Sequence, residues 1–284
     1  MNFLKIDQWE SLDEVKTEET ISKLMMNDSR SKNLNFDYCC FNWADAINKR
    51  GLPFAQDHIN KFRSTSSNPS RLVFVCQHIS VNKLNWGNSI VFTPHATQED
   101  TFYSIPHYAI NIGNRKLIQD RNLKASFMGS YETHSSRSSL AVSIQNRNDC
   151  FVRDTGVWHF HNENRDKNKK LYTDILTNSK LCVCPRGTGP STIRLWEAMA
   201  TGCVPLLITD SSKLPLDDEI DWNKLIIRIQ PHLTPLANPM LDLLDDNMLN
   251  TKSKNVIDIY DEYFCNNKLH TTVLKTLEKY EHRN

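Results

Sequence analysis

Residues 179–222 read SKLCVCPRGTGPSTIRLWEAMATGCVPLLITDSSKLPLDDEIDW. The stretch opens on a continuous apolar run, Leu181-Cys182-Val183-Cys184-Pro185, too short for a helix and patterned like a strand buried on both faces. A loop with two glycines follows, Arg186-Gly187-Thr188-Gly189-Pro190. Ser191 or Thr192 can cap the helix predicted over Thr192–Thr201. Gly202 suits the left-handed residue that ends a helix, and Cys203–Thr209 reads as the next strand. Strand, glycine loop and helix N-terminus together form an anion site, because unbonded N–H groups and the positive end of the helix dipole meet there. Arg186 and Arg194 add cations beside it, at the carboxyl ends of the strands, where open parallel sheets bind ligands. A diphosphate is the guest this pattern predicts. Glu197, three residues after Arg194, has two readings: a surface ion pair of little worth, or an acceptor for two ribose hydroxyls.

Working outward, the same alternation recurs. Leu72–Cys76, Ser89–Thr93 and Tyr103–Pro106 read as strands, followed by Lys124–Gly129, the start of a helix in the segment from Ser135 to Val142, strand Cys150–Val152, and a helix over Lys169–Asn178. The first sixty residues carry helical spacing at Leu12, Val15, Ile21, Leu24 and Met25, with Ser11 as a cap. The tail from Lys252 to Tyr280 reads as one or two amphipathic helices, with Val256, Ile259, Tyr260 and Tyr263 on one face. Strands alternating with helices indicate parallel βαβ units. Two such series predict an α/β chain of two Rossmann-like halves, with the linker near Gly113–Gln119.

Composition narrows the function. The 34 Lys and Arg nearly balance the 33 Asp and Glu among 284 residues, for a formal charge of +1. A general electrostatic grip on nucleic acid or an anionic membrane is not indicated, so neither is expected as a partner. No run approaches the length of a membrane span, and the N-terminus has no signal-peptide pattern. None of the eight cysteines forms a C-x-x-C pair. Buried free thiols in a reducing compartment, and hence the cytoplasm, are expected.

The spaced elements Pro185-Arg186-Gly187, Ser191-x-x-Arg194-Leu195-x-Glu197-Ala198, Cys203-Val204-Pro205, Leu214-Pro215 and Ile220-Asp221-Trp222 resemble the donor-binding region of the exostosin family of glycosyltransferases. Phe127-Met128-Gly129 followed by Arg137-x-x-Leu140 resembles that family's Phe-x-Gly…Arg segment, and Asn178–Cys182 its approach strand. The resemblance implies the GT-B arrangement, two Rossmann-like domains facing a cleft. Residues 1–118 would be the acceptor-binding domain, with a C-terminal helix at about 255–284 packing back on it, and residues 119–254 would bind the nucleotide sugar. It implies a nucleoside-diphosphate sugar, most often a UDP sugar, as donor and a glycan as acceptor. Arg137, Arg186 and Arg194 would surround the diphosphate, Glu197 would hold the ribose, and Gly129, Gly187, Ser191 and Thr192 would complete the donor site. Animal members carry a membrane anchor and many are longer; this chain is similar to small soluble versions expected in bacteria or large viruses, in the latter case acting in host cytoplasm. Xylose is a slight favourite as the sugar, because small exostosin-like enzymes include pentose transferases.

The chain contains no Asp-x-Asp, so transfer without a metal is expected, with arginines and helix N–H groups stabilising the leaving diphosphate. No cofactor is expected. His159 and His161 could share a strand face, yet a polar edge or loop accounts for them more simply. An inverting transfer needs a base for the acceptor hydroxyl. His78, His95, Glu99 and Asp100 each follow a strand's carboxyl end; Asp100 ranks first from its position relative to Ile105-Pro106, and His95 second. The alternative is a non-catalytic sugar-nucleotide or glycan-binding protein with the same fold.

Overall fold

Apolar runs without alternation become the central strands of two parallel sheets. The structure, a computed structural model, describes residues 1–5, 16–66, 68–156 and 165–283. They group into two units: Met1–Tyr108, Ser211–Glu219 and Tyr263–Asn284 form the first, Ala109–Asp210 and Ile220–Glu262 the second. The α/β class with two parallel-sheet units is as the sequence predicts. The division falls at 108/109, whereas the sequence reading puts it at 118/119, and the short segment after Asp210 belongs to the first unit.

In the first unit, strands β1 (Asn2–Leu4), β2 (Asp37–Cys39), β3 (Leu72–Val75), β4 (Ile90–Thr93) and β5 (Tyr103–Ser104) pair in that order, all parallel. β3 and β4 are buried along their whole length, which is why they carry no alternation. Helices α1 (Lys16–Asn27) and α2 (Trp43–Thr65) belong to this unit. Within α2 the helical course breaks at Gly51, whose φ of 85° needs glycine. One face of the sheet packs Trp43, Phe62, Phe74 and Trp86. The segment after Asp210 joins by backbone bonds: Gln98 N–H donates to Ser211 O and Lys213 N–H to Ala96 O, both at 2.9 Å.

In the second unit, strands β6 (Leu123–Met128), β7 (Cys150–Arg153), β8 (Ser179–Pro185), β9 (Val204–Ile208) and β10 (Ile227–Ile229) lie in the order β10-β9-β8-β6-β7, again all parallel. Its helices are α3 (Ser135–Ile144), α4 (Arg165–Asn178), α5 (Ile193–Thr201), α6 (Ala237–Asp242) and α7 (Asp246–Ile259). Helix α8 (Thr271–Arg283) closes the chain in the first unit, where Val273, Leu274 and Leu277 meet Ile21, Tyr38 and Phe92. In the second sheet the strand order reverses between β6 and β8, so their connections leave in opposite directions and open a crevice at their carboxyl ends. Gly202 ends α5 with φ 74°; a Cβ there would lie 2.8 Å from the Ile257 side chain.

Ser11, Leu12, Val15, His159 and His161 lie outside the described residues. Cys39, Cys76, Cys182, Cys184 and Cys203 are buried thiols. Among the described residues no helix is long and apolar enough to cross a membrane.

Arg121, only 2% exposed, ties the second unit together. Its guanidinium donates to the carbonyls of Leu176 (3.1 Å), Ser179 (2.9 Å) and Thr201 (2.8 Å), and twice to Lys116 O. Leu176 and Thr201 stand in the last turns of α4 and α5, where carbonyls have no helical partner and the dipole favours a cation. Replacing Arg121 by Met leaves those oxygens buried and unpaired, so chemical denaturation should read a loss of about 3 kcal/mol or more. A loss below about 1 kcal/mol would contradict this role.

Candidate functional site

The crevice between β6 and β8 is lined by three arginines. Arg137, in the first turn of α3, donates Nε to Arg186 O at 2.8 Å, Nη1 to Ser130 O at 2.9 Å and Nη2 to Pro185 O at 3.4 Å. It therefore bridges the ends of both strands. Arg194, in the first turn of α5 and 8% exposed, donates Nη2 to Met128 O at 2.6 Å. Its guanidinium lies over the rings of Phe127 (4.7 Å) and Tyr172 (5.8 Å), an arrangement that stabilises a cation. Arg186 follows β8 and pairs with Asp210 at 2.8 Å.

Of the three, Arg137 carries the under-compensated charge: Arg186 is paired with Asp210, and Arg194, though burial opposes it, is raised by Tyr172, Cys182, Cys184 and Glu197. Burial and the neighbouring Arg194 pull the Arg137 guanidinium down to about 9. The Nε atoms of Arg186 and Arg194 and the hydroxyl of Thr133 are shielded from solvent with no hydrogen-bond partner. The two glycines of the predicted donor site make room for these groups. A Cβ on Gly129 would lie 2.5 Å from Arg194 Nη2, and one on Gly187 3.2 Å from Arg137 Nη2.

The capping expected of Ser191 or Thr192 takes a different form. Thr192 occupies the N-cap position, with φ −143° and ψ 129°, but its side chain makes no capping bond. At the start of α5, Leu195 N–H donates to Thr192 O at 3.3 Å. Glu197 is 2% exposed and both its oxygens are engaged. Oε1 accepts from Asn111 N–H (2.9 Å) and Asn111 Nδ2 (2.8 Å), and Oε2 accepts from the Tyr172 hydroxyl (2.7 Å). Burial raises its carboxyl above the usual range, opposed by these bonds. The surface ion pair with Arg194 does not form. These bonds fill three of the roughly four acceptor positions of the carboxylate.

His134 escapes sequence reasoning because histidine is not a usual cap. It is the N-cap of α3, its Nδ1 accepting from Ser136 N–H at 3.2 Å. Arg186, Asp210 and Arg137 all act electrostatically on it. Asn111 and Tyr172 are equally silent in sequence, since they reach Glu197 from 86 and 25 residues away.

The Exostosin GT47 domain model matches residues 49–240. The chain belongs to the exostosin GT47 family. A probable arabinosyltransferase, ARAD1, of Arabidopsis thaliana is 30% identical over 131 residues, covering 44% of this chain and 28% of that protein. An Exostosin-1 homolog of Caenorhabditis elegans is 28% identical over 138 residues, covering 44% of this chain and 36% of that one. The chain thus spans about a third of the length of these curated relatives or less. Among solved structures, a glycosyltransferase from Rickettsia africae ESF-5 aligns with a TM-score of 0.43 at 8% identity, covering 98% of this chain and 97% of that one.

In this exostosin-family chain the two ranked base candidates stand at the carboxyl end of the first unit's sheet. Asp100 closes its own turn: Oδ2 accepts from Thr97 N–H (2.8 Å) and Thr97 Oγ1 (2.9 Å), Oδ1 from Phe102 N–H (2.9 Å). Lys213 Nζ lies 3.7 Å from Oδ1. His95 is buried, with Nε2 3.0 Å from Gln77 O. A carbonyl can only accept, so Nε2 carries the hydrogen and Nδ1 the lone pair. Burial lowers this imidazole to about 4. His78 is likewise lowered by burial and bonds Asn48 Oδ1 at 3.1 Å.

The same end of this sheet holds a carboxyl that the sequence does not flag. Glu18, 1% exposed, accepts from Gln77 N–H at 2.6 Å and from Ala44 N–H, at the start of α2, at 3.2 and 3.3 Å. Burial outweighs these bonds and raises it from the ordinary 4.5 to about 8. The folded chain therefore keeps this proton where the unfolded chain has lost it, and stability falls as pH rises through that window. In urea titrations at about pH 5.5 and about pH 8, the wild type should lose more stability than Glu18→Gln, which cannot ionise. Equal losses would show that Glu18 does not hold the proton.

Proposed function

We propose that this chain is a glycosyltransferase that moves a sugar from a nucleoside-diphosphate sugar to a glycan hydroxyl. The observation that carries the reading is the under-compensated positive charge at the switch point of the second sheet. Arg137 is depressed to about 9 beside Arg194, and two guanidinium Nε atoms lack partners. A diphosphate supplies the missing negative charge beside the start of α5. When the sugar leaves, charge develops on that diphosphate, and donors already fixed by Met128, Arg186 and Ser130 carbonyls stabilise it without reorganising.

In this reading the second unit takes the donor and the first supplies the acceptor side. UDP is the nucleotide favoured by the family resemblance, and xylose the slight favourite among sugars. Arg137, Arg186 and Arg194 bind the diphosphate, with Gly129 and Gly187 providing room and Ser191 and Thr192 leading into α5. Glu197 orients Tyr172 and Asn111 and accepts from ribose at its remaining acceptor position. Inversion requires a base: Asp100 is committed to its turn, whereas neutral His95 can accept a proton at Nδ1, as a weak base. The arginines take the role a metal plays elsewhere, so the reaction proceeds without one.

The test is UDP release from a panel of UDP sugars, UDP-xylose included, with mixed glycan acceptors and excess EDTA. Release above the enzyme-free blank is expected. Arg186→Ala should weaken UDP binding by about tenfold, since charge-assisted hydrogen bonds contribute roughly 1.5–3 kcal/mol, with little change in melting. UDP binding without release from any donor would instead favour a non-catalytic sugar-nucleotide-binding protein.

A further inference from the structure

The first turn of α1 meets the carboxyl ends of β3 and β4, and the reading above gives it no part. Thr17 is 3% exposed and Glu18 1%. Part of this is helix capping: Asn42, the N-cap of α2, makes no side-chain capping bond, and Glu18 accepts from Ala44 N–H in its place. The shorter bond, 2.6 Å, comes from Gln77 N–H, and Gln77 belongs to no helix. Thr17 N–H donates to the Gln77 side-chain oxygen at 3.0 Å, and the Thr17 hydroxyl accepts from Tyr108 N–H at 3.0 Å. Two successive residues of α1 thus hold Gln77 at its N–H and at its side chain. The Gln77 carbonyl faces His95 Nε2 at 3.0 Å, and His95 N–H donates to Thr93 Oγ1 at 3.1 Å. A carbonyl can only accept, so the ring hydrogen stands on Nε2. That bond favours positive charge on the ring, against burial and the neighbouring His78. The His107 ring meets His95 edge-on, 5.4 Å between centroids.

We propose that Glu18 is a positioning residue for sugar transfer: by holding Gln77 it holds His95 in the Nε2–H tautomer, which makes Nδ1 the proton acceptor. The inference rests on the reading of His95 as the base. In that step the acceptor oxygen bonds the anomeric carbon, the bond from that carbon to the diphosphate breaks, and the hydroxyl proton passes to Nδ1. Glu18 touches no reacting atom and acts only through Gln77.

Nitrogen-resolved NMR spectra of the histidine rings read the tautomer directly, with His95 assigned by the signal missing from His95→Gln. Wild-type chain at neutral pH should carry the His95 hydrogen on Nε2; a hydrogen on Nδ1 would overturn the inference whatever the variants do. Glu18→Ala removes the acceptor of Gln77 N–H. Its His95 ring should sample both tautomers. Its kcat, followed below the melting temperature as UDP release from a UDP sugar with mixed glycan acceptors, should fall about tenfold or more with the donor KM unchanged. Glu18→Gln keeps one acceptor oxygen and should recover the tautomer and most of the rate. A role in capping alone would lower the melting temperature of Glu18→Ala and leave its tautomer and kcat as in wild type, which would overturn this inference and leave the base reading standing. His95→Gln that transfers as fast as wild type would overturn the base reading and this inference with it.

Discussion

A guanidinium can be buried without a carboxylate only where enough carbonyl oxygens converge on it, and the second unit depends on that arrangement three times. Arg121 is the complete case: its donors meet carbonyls of Lys116, α4, β8 and α5. Arg137 and Arg194 are the incomplete cases at the opposite ends of the same elements. Arg194 donates to one carbonyl, Met128 O, and faces two aromatic rings; its Nε has no partner. The contrast separates structure from function. Arg121 holds the C-terminal end of α5 in place, and that helix starts where β6 and β8 diverge.

The first unit uses the converse device. Glu18 is a buried carboxyl without a cation, surrounded by N–H donors from the start of α2 and from Gln77. Gln77 passes the constraint on: its side-chain oxygen accepts from Thr17 N–H at 3.0 Å, and its backbone carbonyl faces His95. The tautomer of His95 is thereby set by backbone that Glu18 anchors. Glu18 and His95 thus both bond to the backbone of Gln77, just beyond the carboxyl end of β3.

Much of this was legible in the sequence, for a stated reason. β3, β4, β8 and β9 are covered on both faces, so they read as unbroken apolar runs. β1, β2 and β10 have three residues each, too few to show a pattern. Arg186 and Arg194 were legible as anion-site candidates from the strand–glycine–helix pattern, and Arg137 from the resemblance to the family's Phe-x-Gly…Arg segment. The surroundings of Glu197 were not, because Asn111 and Tyr172 arrive through the fold. The membership of Ser211–Glu219 in the first unit rests on backbone bonds to residues 96–98, which side-chain pattern does not encode. Asp100 stands after a strand and also closes a turn, as a carboxylate three residues from Thr97 can.

The central claim is that the donor diphosphate sits at the ends of β6 and β8 against the starts of α3 and α5. Amide hydrogen exchange with and without saturating UDP tests it most directly. The account predicts slowed exchange in peptides spanning 133–137, 186–189 and 192–195. Undiminished exchange in those three peptides, with protection of others proving that UDP is bound, would contradict it.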